Sequence, residues 1–169
     1  MTNPPRLRVH FIHGLEGSPQ GAKARFLQAH FDTVAPAMDT RDLAGAIETQ
    51  AAALAEIRPD VVVGSSFGGA IAVALLGRGI WRGPTVLLAP AAAKLGVDNA
   101  LPPGVAVTIV HGVDDDIVPL ADSRALVATG SAALVRLVEV PDGHRLQSLL
   151  DSGSLADFVR EVKARAARE

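Results

Sequence analysis

Three residue types that cooperate in nucleophilic catalysis occur along this chain in one order: a pair of serines at Ser65 and Ser66, three aspartates at Asp114, Asp115 and Asp116, and a late histidine, His144. A serine hydroxyl is a weak nucleophile until a positioned imidazole takes its proton, and a carboxylate can hold that imidazole in the correct tautomer. Register chooses between the serines. Centring G-x-S-x-G on Ser65 requires glycine at Val63 and Phe67, where there is none, whereas centring it on Ser66 finds Gly64 and Gly68. Such a pattern serves a sharp strand-to-helix turn that exposes the hydroxyl, while the helix start supplies N–H donors for a developing oxyanion. Ser66 is therefore the candidate nucleophile, and Ser65 enters the turn buried and hydrogen-bonded. Standing alone the pattern is weak, and the same stretch also reads as a small-residue corner that packs a helix closely on a sheet.

Other segments supply the remaining parts. In His13-Gly14-Leu15, after an early apolar run, the Leu15 N–H is expected to join the Phe67 N–H as an oxyanion hole, with His13 holding the loop by hydrogen bonding. A phosphate-cradling loop is excluded there, because Gly21 is followed by Ala22 before Lys23 and no Ser or Thr comes next. The segment VAVTIVHGVDDDIVP (Val105–Pro119) delivers the aspartates, one of which could orient an imidazole. A divalent-metal site is disfavoured, since successive residues of a turn point in different directions and no second carboxylate cluster completes a coordination sphere. Of the five histidines, His10 lies in a strand-like run, His30 in a helical one, and His13 and His111 precede glycines in loops. His144 alone comes late, beside Gly143, in VEVPDGHRL.

These residues need a scaffold. Short Val- and Ile-rich runs (Arg8–Ile12, Val34–Pro36, Asp60–Gly64, Thr85–Pro90, Val105–Val110 and Val135–Val140) alternate with segments of helical period (Gly21–Phe31, Thr40–Ile57, Phe67–Gly79, Leu120–Ala128 and Leu155–Ala167). That alternation predicts right-handed βαβ units, hence a mostly parallel sheet with helices on both faces. Such sheets place their chemistry beyond the C-terminal ends of the strands, where all the candidate residues fall.

Composition narrows the partners. With 49% hydrophobic and 20% charged residues and a net charge of −2, the 169-residue chain is expected to form one globular domain, with no basic stripe for nucleic acid. The absence of cysteine removes disulfide and thiolate chemistry. No apolar run is long enough for a bilayer, and the N-terminus lacks an apolar signal region, so a cytoplasmic protein without a membrane partner is expected.

Taken in order, these motifs resemble those of the α/β-hydrolase superfamily, and within it the small, lidless YqiA-type esterases and the related retinoblastoma-binding-protein-9-like serine hydrolases. HGLEGSPQGAKA (His13–Ala24) is similar to that family's N-terminal motif, apart from Gly17 and Gly21, and GSSFGG (Gly64–Gly69) resembles its nucleophile elbow. HGVDDDIVP (His111–Pro119) resembles the H-G-x-x-D-x-x-V-P acid loop, which implies Asp115 as the triad acid with Asp114 next in line. The resemblance implies a three-layer αβα sandwich with sheet order 2-1-3-4-5-6. The short stretch between the elbow helix and the acid loop leaves no room for a cap domain. The expected function is hydrolysis of small, short-chain carboxylic esters by Ser66, His144 and Asp115, with no metal or organic cofactor. Leu15 and Phe67 would contact substrate, with Ser18 and Arg41 as further contacts. A thioesterase or amidase using the same triad, and a protein-binding module that keeps it idle, are the alternatives. An imidazole base must be neutral, so activity is expected to fall below about pH 6–7.

Overall fold

The computed structural model describes residues 3–168; Glu169, which ends the charged run RAARE, lies outside the described residues. The strands are β1 (Arg8–Ile12), β2 (Asp32–Val34), β3 (Val61–Ser65), β4 (Thr85–Leu88), β5 (Val107–Gly112) and β6 (Val135–Val140). The helices are α1 (Ala22–His30), α2 (Leu43–Ile57), α3 (Phe67–Gly77), α4 (Leu120–Val127), α5 (Gln147–Asp151) and α6 (Ser154–Ala166), with a 3₁₀ turn at Ala93–Leu95. Every strand pairing is parallel, and the order is β2-β1-β3-β4-β5-β6, as expected.

The period-2 alternation of the strands divides the core into two layers. Ile12, Val62, Leu87 and Ile109 face the layer of α2, α3 and α4, where Ile47, Ile71, Leu75 and Leu126 pack. Val9, Phe11, Val63, Val86 and Val110 face α1, α5 and α6, meeting Leu27, Leu149, Leu155 and Val159. Strands β3, β4 and β5 are buried along their whole length, which explains their continuously apolar sequences. Among the described residues, no helix is long and apolar enough to cross a membrane.

Several boundaries differ from the sequence expectation. β2 covers Asp32–Val34 rather than Val34–Pro36, because its pairing with Arg8–His10 ends at Val34 and Pro36 carries no N–H to extend it. α2 begins at Leu43 instead of Thr40, since the Asp42 carboxylate caps it by accepting from the Gly45 N–H at 3.0 Å. β5 runs on to Gly112, so His111 is a buried strand residue and not a loop residue. The five-residue α5 was not expected; it is too short to show a helical period.

Candidate active site

β3 ends at Ser65 and α3 begins at Phe67, leaving Ser66 alone to turn the chain, with φ 55° and ψ −109°. Such backbone is costly for a residue with a Cβ and persists only where its surroundings enforce it. The enforcement is close packing: a Cβ at Gly68 would collide with the carbonyl of Ile12 at the end of β1, and one at Gly64 would lie 2.6 Å from the Gly68 carbonyl. The Ser66 N–H donates to the Leu88 carbonyl at 2.9 Å, and its own carbonyl accepts from Ala70 and Ala91. The hydroxyl is left facing the cleft.

The loops after β5 and β6 are joined by Val113 N–H donating to the Val140 carbonyl and Asp114 N–H donating to that of Asp142. Between them the Asp115 and His144 side chains meet, with His144 Nδ1 2.8 Å from Asp115 Oδ2. On the other edge of the ring, His144 Nε2 lies 3.0 Å from Ser66 Oγ. The Asp115 side chain is fully buried and that of His144 is 16% exposed. The second carboxylate oxygen, Oδ1, accepts from the Ile117 and Val118 N–H groups, each at 2.8 Å. Burial pushes the Asp115 carboxyl up, but the Val118 N–H, His144 and the Ile117 N–H outweigh it and hold it below the ordinary carboxylate range. An ionised Asp115 can only accept, so His144 Nδ1 carries the proton and Nε2 is free to accept from the Ser66 O–H. Of the three aspartates only Asp115 meets His144; Asp114 and Asp116 are exposed.

A second imidazole reaches the same carboxylate. His111 is fully buried, with Nε2 2.9 Å from the Val118 carbonyl and 3.3 Å from Asp115 Oδ2, and Nδ1 2.7 Å from Ser123 Oγ. The Val118 carbonyl accepts only, so Nε2 bears the proton and Nδ1 accepts from the Ser123 hydroxyl. Sequence reasoning placed His111 in a loop and missed this contact; the apolar run leading into it was the available signal that the strand continues.

Above Ser66, Leu15 is exposed and its N–H, like that of Phe67, donates to no other group among the described residues. His13 is buried, and its Nδ1 lies 2.8 Å from the Gly14 carbonyl, within the loop it was expected to hold. A cleft of about 400 Å³ opens over Ser66 and His144; Leu15 and Ser18 line it, together with Lys23, Ile117, Arg145 and Leu150, none of which the sequence placed there. Three expectations change. The Phe67 side chain packs in the core layer beneath α3 and does not line the cleft. Arg41 lies away from the cleft on an exposed loop, paired with Asp39 at 3.0 Å. Ser65 is buried as expected, yet its hydroxyl makes no hydrogen bond among the described residues, because it faces the cleft floor. No cluster of three or more His, Cys, Asp or Glu side chains suited to a metal ion occurs among the described residues.

Comparison with known proteins agrees with this architecture. A protein of the α/β-hydrolase superfamily from Xanthomonas campestris pv. campestris superimposes with a TM-score of 0.75 at 25% identity, covering 95% of this chain and 99% of that one. Est1E from Butyrivibrio proteoclasticus gives a TM-score of 0.74 at 20% identity over 99% of this chain and 91% of its own. A serine hydrolase without a lid from Xanthomonas campestris gives 0.68 at 17%, covering 94% and 83%. No curated protein matches the sequence. The profile of the Uncharacterised protein family UPF0227 matches residues 8–96, from β1 through the elbow and β4 to the turn that follows. The chain thus has the α/β-hydrolase fold and belongs to UPF0227, the YqiA-like family that its motifs resemble.

Proposed function

We propose that this protein is a serine hydrolase cleaving small, short-chain carboxylic esters. The observation that carries the reading is the unbroken relay from Ser66 Oγ to His144 Nε2, 3.0 Å, and from His144 Nδ1 to Asp115 Oδ2, 2.8 Å, at the floor of an open cleft. In this reading His144 takes the Ser66 proton as the hydroxyl oxygen attacks the acyl carbon. Asp115 holds the ring's tautomer and stabilises the imidazolium. The Phe67 and Leu15 N–H groups receive the oxyanion. As the tetrahedral intermediate collapses, His144 returns the proton to the departing alkoxide. Water, deprotonated by His144, then attacks the acyl-enzyme carbon, and as the acyl–Oγ bond breaks His144 returns that proton to Ser66 Oγ and the acid leaves.

The acyl preference follows from what stands over the cleft. Between β4 and β5 the chain forms only the 3₁₀ turn Ala93–Leu95, so no cap encloses a long chain. The hydrolases among the similar structures, one of them without a lid, support the reaction class. A fluorophosphonate probe should label the wild type and not Ser66→Ala, and p-nitrophenyl esters should show their highest kcat/KM at short acyl length. Equal labelling of both proteins would reduce the fold to a binding module. A peak at C12 or longer would overturn the short-chain assignment, and faster turnover of acyl-CoA or amide substrates would reassign the leaving group.

A further inference from the structure

The cleft wall holds a cation whose hydrogen-bonding capacity the protein does not use up. Lys23 lies in the first turn of α1, half-buried, and lines the same cleft as Ser66 and His144. An ammonium carries three N–H donors. One donates to the Arg145 carbonyl at 2.8 Å, and the other two find no protein acceptor among the described residues. No carboxylate forms an ion pair with Lys23 there. Glu16, the one acid lining the cleft, is paired with Arg145 at 3.5 Å, and the Asp142 carboxylate accepts from the Gly143 and Ser148 N–H groups.

We propose that Lys23 is a specificity-determining residue whose ammonium binds an anionic group carried by the ester near its scissile bond. The proposal rests on the hydrolase reading above and narrows its substrate class to esters bearing a carboxylate or phosphate. Two cations, Lys23 and Arg145, face one carboxylate, Glu16, in the cleft of a chain whose net charge is −2. A half-buried cation with no carboxylate in direct contact is unfavourable for the free protein, and an anionic substrate removes that penalty on binding. Burial pushes the Lys23 ammonium down, Arg145 adds to this, and Asp142 and Glu16 oppose it, as fits a charge awaiting a partner. The exposed Arg145–Glu16 pair can open at little cost and lend a second cation.

The test uses two matched pairs of esters, each rate divided by that ester's alkaline hydrolysis rate. 4-Acetoxybenzoate against methyl 4-acetoxybenzoate places the anion on the leaving group, and monomethyl adipate against methyl hexanoate places it on the acyl chain. In the wild type at low salt, kcat/KM should favour the anionic member of at least one pair by about tenfold, the effect of one charge-assisted hydrogen bond. Lys23→Met should collapse that ratio towards one, while Lys23→Arg keeps most of it. A residue that merely tied the His144 loop through the Arg145 carbonyl would slow both members equally and leave the ratio intact. An unchanged ratio in Lys23→Met, or no anionic preference in the wild type, overturns the proposal. Should Lys23→Met not fold, the wild-type preference must still weaken as salt rises, because added ions screen it; a salt-independent preference overturns the proposal as well. Failure to hydrolyse any of the four esters, together with absent probe labelling, would instead remove the hydrolase reading, and the proposal with it.

Discussion

Two imidazoles meet one carboxylate oxygen in this protein, and their surroundings differ. At the strand-end loop after β6, His144 donates from Nδ1 to Asp115 and turns Nε2 toward Ser66 and the cleft. At the end of β5, His111 approaches the same Oδ2, but both of its nitrogens are spent inside the core, on the Val118 carbonyl and the Ser123 hydroxyl. A histidine can move protons only if one nitrogen is open to a reacting group. The contrast therefore separates an imidazole with one nitrogen turned to the cleft from one whose nitrogens are both enclosed, though both rings touch the same carboxylate.

The largest expected effect strikes the reactive side. Ser66→Ala or His144→Ala should each lower kcat/KM on a short-chain ester by about 10⁴-fold or more while leaving the protein folded by circular dichroism. Replacing Leu15 with proline removes one proposed oxyanion donor, and kcat should drop by about 10²–10³-fold. If Leu15→Pro keeps wild-type kcat, the hole is built elsewhere. His111→Phe tests the holding side. It leaves the Val118 carbonyl and Ser123 hydroxyl unpaired in the core, so urea melts should report a loss of about 2–3 kcal/mol, with activity down only about tenfold in the folded fraction. A well-folded His111→Phe as inactive as His144→Ala would break the comparison by showing that His111 takes part in proton transfer.

The smallest effects are pH-dependent. Asp115 is held below the ordinary carboxylate range in the folded protein. Its stabilising contribution is therefore present above the unfolded value of about 3.9 and is lost as pH falls through that value toward the folded one. Asp115→Asn should flatten the stability profile in that window. His10, buried in β1 against Gln50, is pushed down by burial, partly offset by the Gln50 hydrogen bond. Below about pH 6.5 the unfolded chain takes a proton that folded His10 resists, so stability drops on acidification by at most about 1.4 kcal/mol per pH unit. Replacing His10 with phenylalanine should remove that slope between pH 7 and pH 5, and a slope left unchanged would place its origin elsewhere.

Much of the frame was legible because it is written in local pattern. The alternation of apolar runs and helical periods located all six strands, with β2 displaced at its short, exposed edge. The spacing of Gly64 and Gly68 singled out Ser66 over Ser65, since each glycine answers a clash that the turn itself creates. The late position of His144, beyond a strand end, marked it before any distance was known.

What the chain could not display was which way side chains point after the strands meet. Asp114, Asp115 and Asp116 are the same chemical group in one turn, and only the docking of the β6 loop against that turn gave Asp115 its partner. Phe67 follows the candidate nucleophile and so invites a place in the cleft, yet its ring packs into the core. Arg41 faced no such choice in sequence, but the loop after β2 carries it away from the cleft. Lys23 and Arg145 stand 122 positions apart, and nothing local foretells that an ammonium on α1 will meet the carbonyl beside His144. Sequence by itself determined the elements, their order and the turn at Ser66, because propensity and steric demand act between near neighbours. Tertiary structure alone decided the meeting of Asp115 with His144, the second imidazole and the charge in the cleft, because those depend on contacts between segments that are distant along the chain.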